Sequence, residues 1–279
     1  MLHGGFSADR RRRFARHLVL PELGPRGQDA LRRASLLVVG AGGLGSPALA
    51  YLAGAGIGRV SVVDPGTVGL ADLHRQILYV QDDVGRGKAE VAAERVRAVD
   101  SEVNVRAHAD AFRPENGREL ARAHDVVLDA SDNPATRYLV SDACVLEGRP
   151  LVFGAVSRLE GQVARLAGGE APCYRCLHPE PPPPDSIPSC AEAGVLGPAA
   201  GVIGAWMAVE AIRTIAGLGG AAPEGLLHLD LGTWTTQRVR LDRRPGCAVC
   251  GEAPTIRELR LEEAACLAGE PYPGASPAA

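Results

Sequence analysis

The 279-residue sequence lacks a large net charge and a long apolar run. Its formal net charge of -3 argues against a general nucleic-acid binder, because such proteins hold phosphate backbones with an excess of positive charge. No stretch approaches the ~20 uninterrupted apolar residues of a spanning helix, so we expect no transmembrane segment and no membrane partner. Residues 1–6 lead into the charged run of residues 9–13 without the apolar region or cleavage site of a secretion signal. We therefore expect a cytoplasmic protein.

Lysine is almost absent as well. Among 30 basic residues, Lys88 is the single lysine and the rest are arginines. A compact ammonium ion and a planar guanidinium fork are not interchangeable at a phosphate. The one lysine is therefore a candidate phosphate ligand, although a surface charge at a helix N-terminus is an equally good interpretation of Lys88 taken alone.

Glycine and proline are abundant, with 34 and 21 residues, and they break the chain into many short elements. Apolar runs suited to buried parallel strands alternate with helical patterns, which is typical of an α/β fold. Residues 35–64 have the size of one βαβ unit. The predicted strands cover residues 35–39, 59–64, 103–108, 125–129, 151–157, 161–166, 225–230 and 233–242. The predicted helices cover residues 27–34, 43–53, 88–99, 134–146 and 198–218, with weak helical character at 256–268.

A glycine-rich loop directly follows the first predicted strand and opens a helix. Its glycines are Gly40, Gly42, Gly43 and Gly45. Such a loop lets backbone amides and the positive end of the helix approach phosphate oxygens, and Asp64, at the end of the second strand, is placed to bind ribose hydroxyls. The alternative is a turn used only for tight packing. The loop alone does not distinguish NAD from ATP.

Further polar residues favour a triphosphate. Arg75 and Lys88 can reach phosphates from the segment that follows the second strand, and Asp72 and Gln76 lie in the same cluster. Asp132 follows a buried strand, so its carboxylate can hold Mg²⁺ between phosphate oxygens. Each has a plainer alternative, since Arg75 can be a surface arginine, and Asp132 or its neighbour Asn133 can cap the next helix.

Seven cysteines include two Cys-x-x-Cys pairs. The pairs are Cys173 with Cys176 and Cys247 with Cys250. Four thiolates suit a closed, structural Zn²⁺ site, and two disulfides or a redox pair are the alternatives. Cys144 and Cys266 lie in helical patterns and are expected to be passive. Cys190 follows a proline-rich segment at residues 179–188, predicted to be an extended surface loop; it is either a nucleophile or a passive thiol.

The order of these motifs resembles the MoeB/ThiF family, relatives of ubiquitin-activating enzymes. The likeness runs from about Arg13 to Gly251. It is carried by residues 13–17 (RFARH), 40–45 (GAGGLG), 72–76 (DLHRQ), Asp132-Asn133, residues 160–162 (EGQ), both cysteine pairs and residues 190–194 (CAEAG).

The resemblance implies a Rossmann-like doubly wound, mostly parallel sheet with C-terminal antiparallel strands and a structural zinc site. It also implies a single domain with a helical arm (1–34), a nucleotide-binding core (35–150), a carrier-binding and zinc part (151–251) and a flexible tail (252–279). Family members adenylate the C-terminal glycine of a ubiquitin-like sulfur carrier ending in Gly-Gly.

Each matched residue then has an expected role. Gly43 and Asp64 would hold ATP, Arg75 and Lys88 its phosphates, and Asp132 the Mg²⁺. Arg16 would reach the γ-phosphate of the neighbouring subunit in a homodimer. In ThiF-like members the cysteine matching Cys190 can become linked to the activated carrier.

Two features qualify the resemblance. The family usually has asparagine where this chain has Asp72, and a carboxylate near a triphosphate is repulsive unless Mg²⁺ or an arginine offsets it. Only residues 251–279 follow the last matched cysteine, so we expect no rhodanese domain and a separate sulfur donor, such as a sulfurtransferase or a cysteine desulfurase.

Two other functions fit parts of the sequence. An NAD(P)-dependent oxidoreductase would use the same glycine loop, and a non-catalytic zinc scaffold could bind a ubiquitin-like protein. The motifs leave open whether the carrier serves thiamin, molybdopterin, tRNA thiolation or another product.

Overall fold

A computed structural model describes residues 6–167, 171–183, 193–218 and 225–261. Cys190, Cys266 and residues 184–188 of the predicted proline-rich loop lie outside these residues. Within the described residues, the helices are α1 (Ala8–Arg13), α2 (Ala15–Leu18), α3 (Gly24–Arg33), α4 (Gly45–Gly54), α5 (Lys88–Val99), α6 (Pro114–Arg122), α7 (Pro134–Leu146), α8 (Tyr174–Leu177) and α9 (Gly197–Ala216). The strands are β1 (Ser35–Val39), β2 (Arg59–Val63), β3 (Asn104–His108), β4 (Val126–Asp129), β5 (Leu151–Ser157), β6 (Glu160–Leu166), β7 (Leu226–Asp230) and β8 (Thr235–Val239).

The strands that the structure describes form one sheet in the order β3-β2-β1-β4-β5-β6-β7-β8. Pairing is parallel from β3 to β5 and antiparallel from β5 to β8. The chain leaves β1 toward one edge and returns at β4 to build toward the other. The point between β1 and β4 is therefore the topological switch point, where open α/β sheets bind their ligands. The predicted fold class is confirmed.

Helices cover both faces of the sheet because its central strands are apolar on both sides. In β1, Leu36 and Val38 belong to one hydrophobic core, and Leu37 and Val39 belong to the other. This alternation follows from the two-residue period of a strand. The first core includes side chains of α4, α5 and α9, and the second includes side chains of α7.

Helix α9 is the longest helix described. By length and composition alone it could cross a membrane, as the buried helix of a globular core also could, and 44% of its apolar window is buried in this fold. Close packing explains the composition. A Cβ atom on Gly204 would lie 2.4 Å from the Leu44 carbonyl oxygen, and one on Gly154 of β5 would lie 2.2 Å from the Met207 sulfur of the helix.

Several element predictions need correction. Helix α3 begins at Gly24, where residue 27 was expected. Strand β8 is shorter than the predicted 233–242: it starts only after Trp234, which has φ of 59°, and it ends at Val239. Helix α6 was missed, since only two of its residues, Gly117 and Ala121, are buried and neither carries a strong apolar signal. Residues 256–261, the described part of the predicted C-terminal helix, are not helical.

Candidate functional site

The carboxyl ends of three strands meet at the switch point. The Gly40 amide donates to the Val63 carbonyl at the end of β2, and the Ala130 amide donates to the Val39 carbonyl at the end of β1. A Cβ atom on Gly40 would lie 2.6 Å from the Ala130 carbonyl oxygen. The loops after β1, β2 and β4 are therefore in contact, so the polar residues predicted on them share one edge of the sheet.

The four loop glycines serve two purposes. A Cβ atom on Gly45 would lie 2.0 Å from the Gly40 carbonyl oxygen, and Gly40 itself has φ of 94°, so these two glycines permit the tight turn. Gly42 and Gly43 are more open. A Cβ atom on Gly42 would have the Gln76 amide nitrogen as its nearest neighbour at 3.7 Å, and one on Gly43 would lie 3.4 Å from the Ala200 methyl group. Gly42 and Gly43 thus present their backbone toward the space beside the Asp72 segment.

Asp64 holds the glycine-rich loop in place through hydrogen bonds to backbone amides. Its carboxylate accepts hydrogen bonds from the Ala41 amide at 2.7 Å and the Gly66 amide at 2.8 Å. A carboxylate has about four acceptor positions, so the predicted role toward ribose is compatible with this structural one. Tyr79, which sequence reasoning missed, donates its phenol proton to the Ala41 carbonyl at 2.7 Å, and burial raises the pKa of Tyr79.

Asp72 is the centre of the charged cluster. One carboxylate oxygen accepts hydrogen bonds from Arg75 at 3.0 Å and from the Gln76 amide at 2.8 Å. The other oxygen accepts from the Gly69 amide at 3.0 Å and lies 3.1 Å from the Lys88 ammonium nitrogen. The repulsion expected from this carboxylate is therefore offset by two cations. The predicted cation pair is assembled, and Asp72 is the group that joins it.

Two polar groups near this cluster have spare hydrogen-bonding capacity. Gln76 is 3% exposed, and its carbonyl oxygen has no hydrogen-bond partner in the described structure. Asp132 is exposed, and no hydrogen bond or ion pair joins its carboxylate to another described residue. An exposed carboxylate of this kind is available to a hard cation such as Mg²⁺.

Asn133, not Asp132, caps helix α7. Its side-chain oxygen accepts the Thr136 amide proton at 2.8 Å, which satisfies one amide of the first turn. The plainer interpretation is therefore confirmed for Asn133. Just before it, Asp129 is fully buried, its pKa is raised by burial, and its Oδ1 accepts the Ser131 hydroxyl at 2.6 Å.

Arg16 is held on a docked N-terminal arm. The preceding Phe14 is 2% exposed and packs on Gly56, and His17 shares a hydrogen bond of 2.8 Å with Gln28. Between these anchors, Arg16 is exposed and has no ion pair within the described part of the chain. Its guanidinium is thus not part of the Asp72 cluster of the same chain.

The four cysteines predicted to bind metal come together. Their sulfur atoms all lie within 4.8 Å of one another, although Cys173 and Cys247 are 74 residues apart. The closest sulfur pairs are 3.4 Å and 3.5 Å apart, well beyond the ~2.05 Å of a disulfide bond. Burial raises the pKa of Cys250. Four thiolates this close together would repel one another, so they need a cation between them. This donor set fits a tetrahedral metal site.

The cysteine cluster is attached to helix α7. Arg175, between the first two cysteines, forms a buried ion pair with Asp142 at 2.8 Å. The Tyr174 amide donates to the Ser141 hydroxyl at 3.0 Å, and the Tyr138 hydroxyl donates to the Glu180 carbonyl at 2.7 Å. Helix α7 therefore begins next to Asp132, and its later residues contact the segment that holds the first two cysteines. Ile256, in the predicted tail, is buried against the cluster.

Comparison with known proteins agrees with this arrangement. The ThiF family model matches residues 14–249. A sulfur carrier protein adenylyltransferase of Thermus thermophilus is 49% identical over 259 residues, which cover 91% of this chain and 96% of that protein. The adenylyltransferase and sulfurtransferase MOCS3 of Bos taurus is 47% identical over 256 residues, which cover 91% of this chain and 56% of that relative. The chain thus spans little more than half the length of MOCS3.

The fold is also found in a solved structure. The crystal structure of E. coli MccB with AMPCPP and MccA superimposes with a TM-score of 0.76 at 21% identity, over 90% of this chain and 76% of that one. The family match extends from Phe14 on the docked arm to Val249, between the cysteines of the second pair, and it includes Asp72, Arg75 and Lys88. The chain belongs to the ThiF family.

Proposed function

We propose that this protein uses ATP to adenylate the C-terminal glycine of a ubiquitin-like sulfur carrier, giving a carrier acyl-adenylate and pyrophosphate. The observation that carries this proposal is the cluster of Arg75 and Lys88 around Asp72, beside the open glycines Gly42 and Gly43 at the switch point. The similarity to the Thermus thermophilus sulfur carrier protein adenylyltransferase supports the choice of carrier.

The reaction needs positive charge more than it needs a base. A terminal carboxylate is already ionised at neutral pH, so the barrier lies in bringing one anion against another. Its oxygen attacks the α-phosphorus of ATP, the bond from that phosphorus to the bridging oxygen breaks, and pyrophosphate leaves with the electron pair. Arg75 and Lys88 stabilise the charge that develops on the phosphate oxygens.

Magnesium and zinc have separate places in this proposal. The free carboxylate of Asp132 would hold Mg²⁺, which neutralises phosphate charge when bound. Cys173, Cys176, Cys247 and Cys250 would hold Zn²⁺ in a structural site, since four protein ligands leave no open position for a substrate.

The other partners follow from the proposed reaction. An acyl-adenylate becomes a thiocarboxylate only when a sulfur donor attacks it, so a separate sulfurtransferase or cysteine desulfurase completes the sequence. We place the reaction in the cytoplasm. Cys190 would act after adenylation, as an acceptor of the activated carrier.

We further propose a homodimer in which Arg16 serves the partner's site. The exposed position of Arg16 on a firmly docked arm supports this, because its guanidinium forms no ion pair with the described residues of its own chain. Large exposed apolar side chains on α4, α9 and the adjoining segments would supply the interface. They include Tyr51, Leu70, Ile77, Val80, Leu196 and Val209.

An oxidoreductase is the weaker alternative. A redox dinucleotide has a diphosphate and does not need a lysine and an arginine gathered at one point. If the protein were a non-catalytic zinc scaffold, the charges of Arg75 and Lys88 would be dispensable for its function.

The first test is ATP-pyrophosphate exchange with a carrier ending in Gly-Gly. We expect exchange only when the carrier is present, and a loss of about 100-fold in Lys88→Gln, comparable to the removal of one oxyanion donor. Arg86→Gln is the matched control, because Arg86 is a nearby exposed cation that pairs with Asp83 and Glu94, outside the cluster. Full exchange activity in Lys88→Gln would overturn the proposed function.

The dimer has its own test. Arg16→Ala and Lys88→Gln chains are unfolded, mixed in equal amounts and refolded together. If Arg16 acts across the interface, half of the dimers are mixed and each has one intact site, so about a quarter of the activity returns. No recovery would show that Arg16 acts within its own chain.

A further inference from the structure

The Asp72 carboxylate lies between the two cations that we propose as phosphate ligands. It binds Arg75 on one oxygen and Lys88 on the other, at 3.0 Å and 3.1 Å. The side chains of Asp72 and Lys88 are only 14% and 16% exposed, so this pairing is little screened by solvent.

The local chain makes this pairing specific to a carboxylate. Asp72, Arg75 and Gln76 follow one another in a single turn, while Lys88 begins helix α5. One oxygen serves Arg75 and Gln76, and the other serves the Gly69 amide and Lys88. An asparagine has one acceptor oxygen and one amide donor, so it can satisfy only one of these two sides.

We infer that Asp72 is an internal counter-ion that competes with the nucleotide phosphates for Arg75 and Lys88, and thereby sets the affinity for ATP. This inference rests on the proposed function. Before nucleotide binds, the carboxylate neutralises both cations and holds them in place. Phosphate oxygens must then share or replace its contacts, so binding is weaker than in a site where the same cations face a neutral side chain.

The test is calorimetric titration of Asp72→Asn with a methylene-bridged ATP analogue that is not cleaved. We expect the dissociation constant for the analogue to fall about tenfold, because one competing negative charge has gone. Adenosine, measured by competition, should bind with less than a twofold change, since it has no phosphates. A general loss of structure would weaken both ligands and cannot produce this difference.

Two further variants keep the test decisive. Asp82→Asn removes an exposed negative charge from the same segment and should change neither constant, which excludes an effect of net charge alone. In a Lys88→Gln background, Asp72→Asn should tighten analogue binding by less than threefold, because one of the two cations for which Asp72 and the phosphates compete is then absent.

The possible results separate the inference from the function on which it rests. Unchanged or weaker analogue binding in Asp72→Asn, with a wild type that binds normally, would overturn the inference and leave the adenylyltransferase proposal intact. A wild type that binds no analogue at all would overturn the proposed function itself.

Discussion

The switch-point edge and the cysteine cluster are assembled in different ways. At the edge, Asp72, Arg75 and Gln76 are neighbours in one turn, and Lys88 follows shortly afterwards. In the cluster, Cys173 and Cys247 are brought together from 74 residues apart. The first region is organised by short-range contacts and backbone geometry. The second depends on the antiparallel strands between its two halves and, we propose, on a metal ion.

Helix α7 joins the two regions. It begins beside Asp132 with Asn133 as its cap, and farther along its Asp142 holds Arg175 in a buried pair. A substitution that disrupts one region can therefore affect the other through this helix.

The largest expected effect comes from breaking the cysteine cluster. Cys247→Ser removes one of four sulfur ligands, and we expect bound zinc to be lost and the free energy of unfolding to fall by on the order of 5 kcal/mol. Zinc content and thermal unfolding of the purified protein measure this. Cys144→Ala is the matched control, since Cys144 is fully buried in α7 but outside the cluster, and should keep its zinc.

The same variant also tests whether the switch-point edge is independent of the cysteine cluster. If the two regions are independent, Cys247→Ser should bind the uncleaved ATP analogue with nearly the wild-type affinity below its unfolding temperature. Full zinc content in Cys247→Ser would contradict the metal site.

The next effect is expected where the regions are joined. Asp142→Asn leaves the guanidinium of Arg175, which is 4% exposed, without its carboxylate, and removing one partner of a buried pair costs about 3 kcal/mol. Urea unfolding checks the loss. The double variant with Arg175→Met should recover part of the stability, because it removes the buried guanidinium whose ion pair with Asp142 is broken. A double variant less stable than Asp142→Asn alone would show that the charge is not the cause.

The part of the fold built on the parallel strands β1 to β5 could be predicted closely, because the sequence patterns that mark its elements are local. Strand β1 and helix α7 have the predicted bounds, since a continuous apolar run and a proline after a capping residue define them. Helix α6 also begins with a proline, Pro114, but the preceding Arg113 is not a typical capping residue and the buried residues of the helix, Gly117 and Ala121, are small.

The residues of the charged cluster around Asp72 could be predicted from the sequence, but the hydrogen bonds and ion pairs that join them could not. The chemistry of Arg75 and Lys88 makes them candidate phosphate ligands from the sequence, and the sequence suggests repulsion for Asp72. The pairing depends on where the turn at residues 70–72 directs each side chain, which no periodic pattern reveals. The contact of Tyr79 with the glycine loop was missed for the same reason, since it links segments 38 residues apart.

The smallest expected effect concerns the ion pairs of Glu147, whose arginine partners are more exposed to solvent than Arg175 in its pair with Asp142. Glu147, at the end of α7, accepts hydrogen bonds from Arg122 and Arg118 of α6, and these contacts lower the pKa of Glu147 to about 2. A lowered folded-state pKa stabilises the protein at pH values above the ordinary value near 4.5, and this contribution is lost as the pH falls toward 2. Glu147→Gln should therefore lower the free energy of unfolding at pH 7 by about 1 kcal/mol, because both arginines are well exposed to solvent. Urea unfolding of both proteins from pH 7 down to pH 3 should show the difference shrinking below pH 4.5. A difference that stays constant over this range would show that packing of the side chain, not its charge, joins α6 to α7.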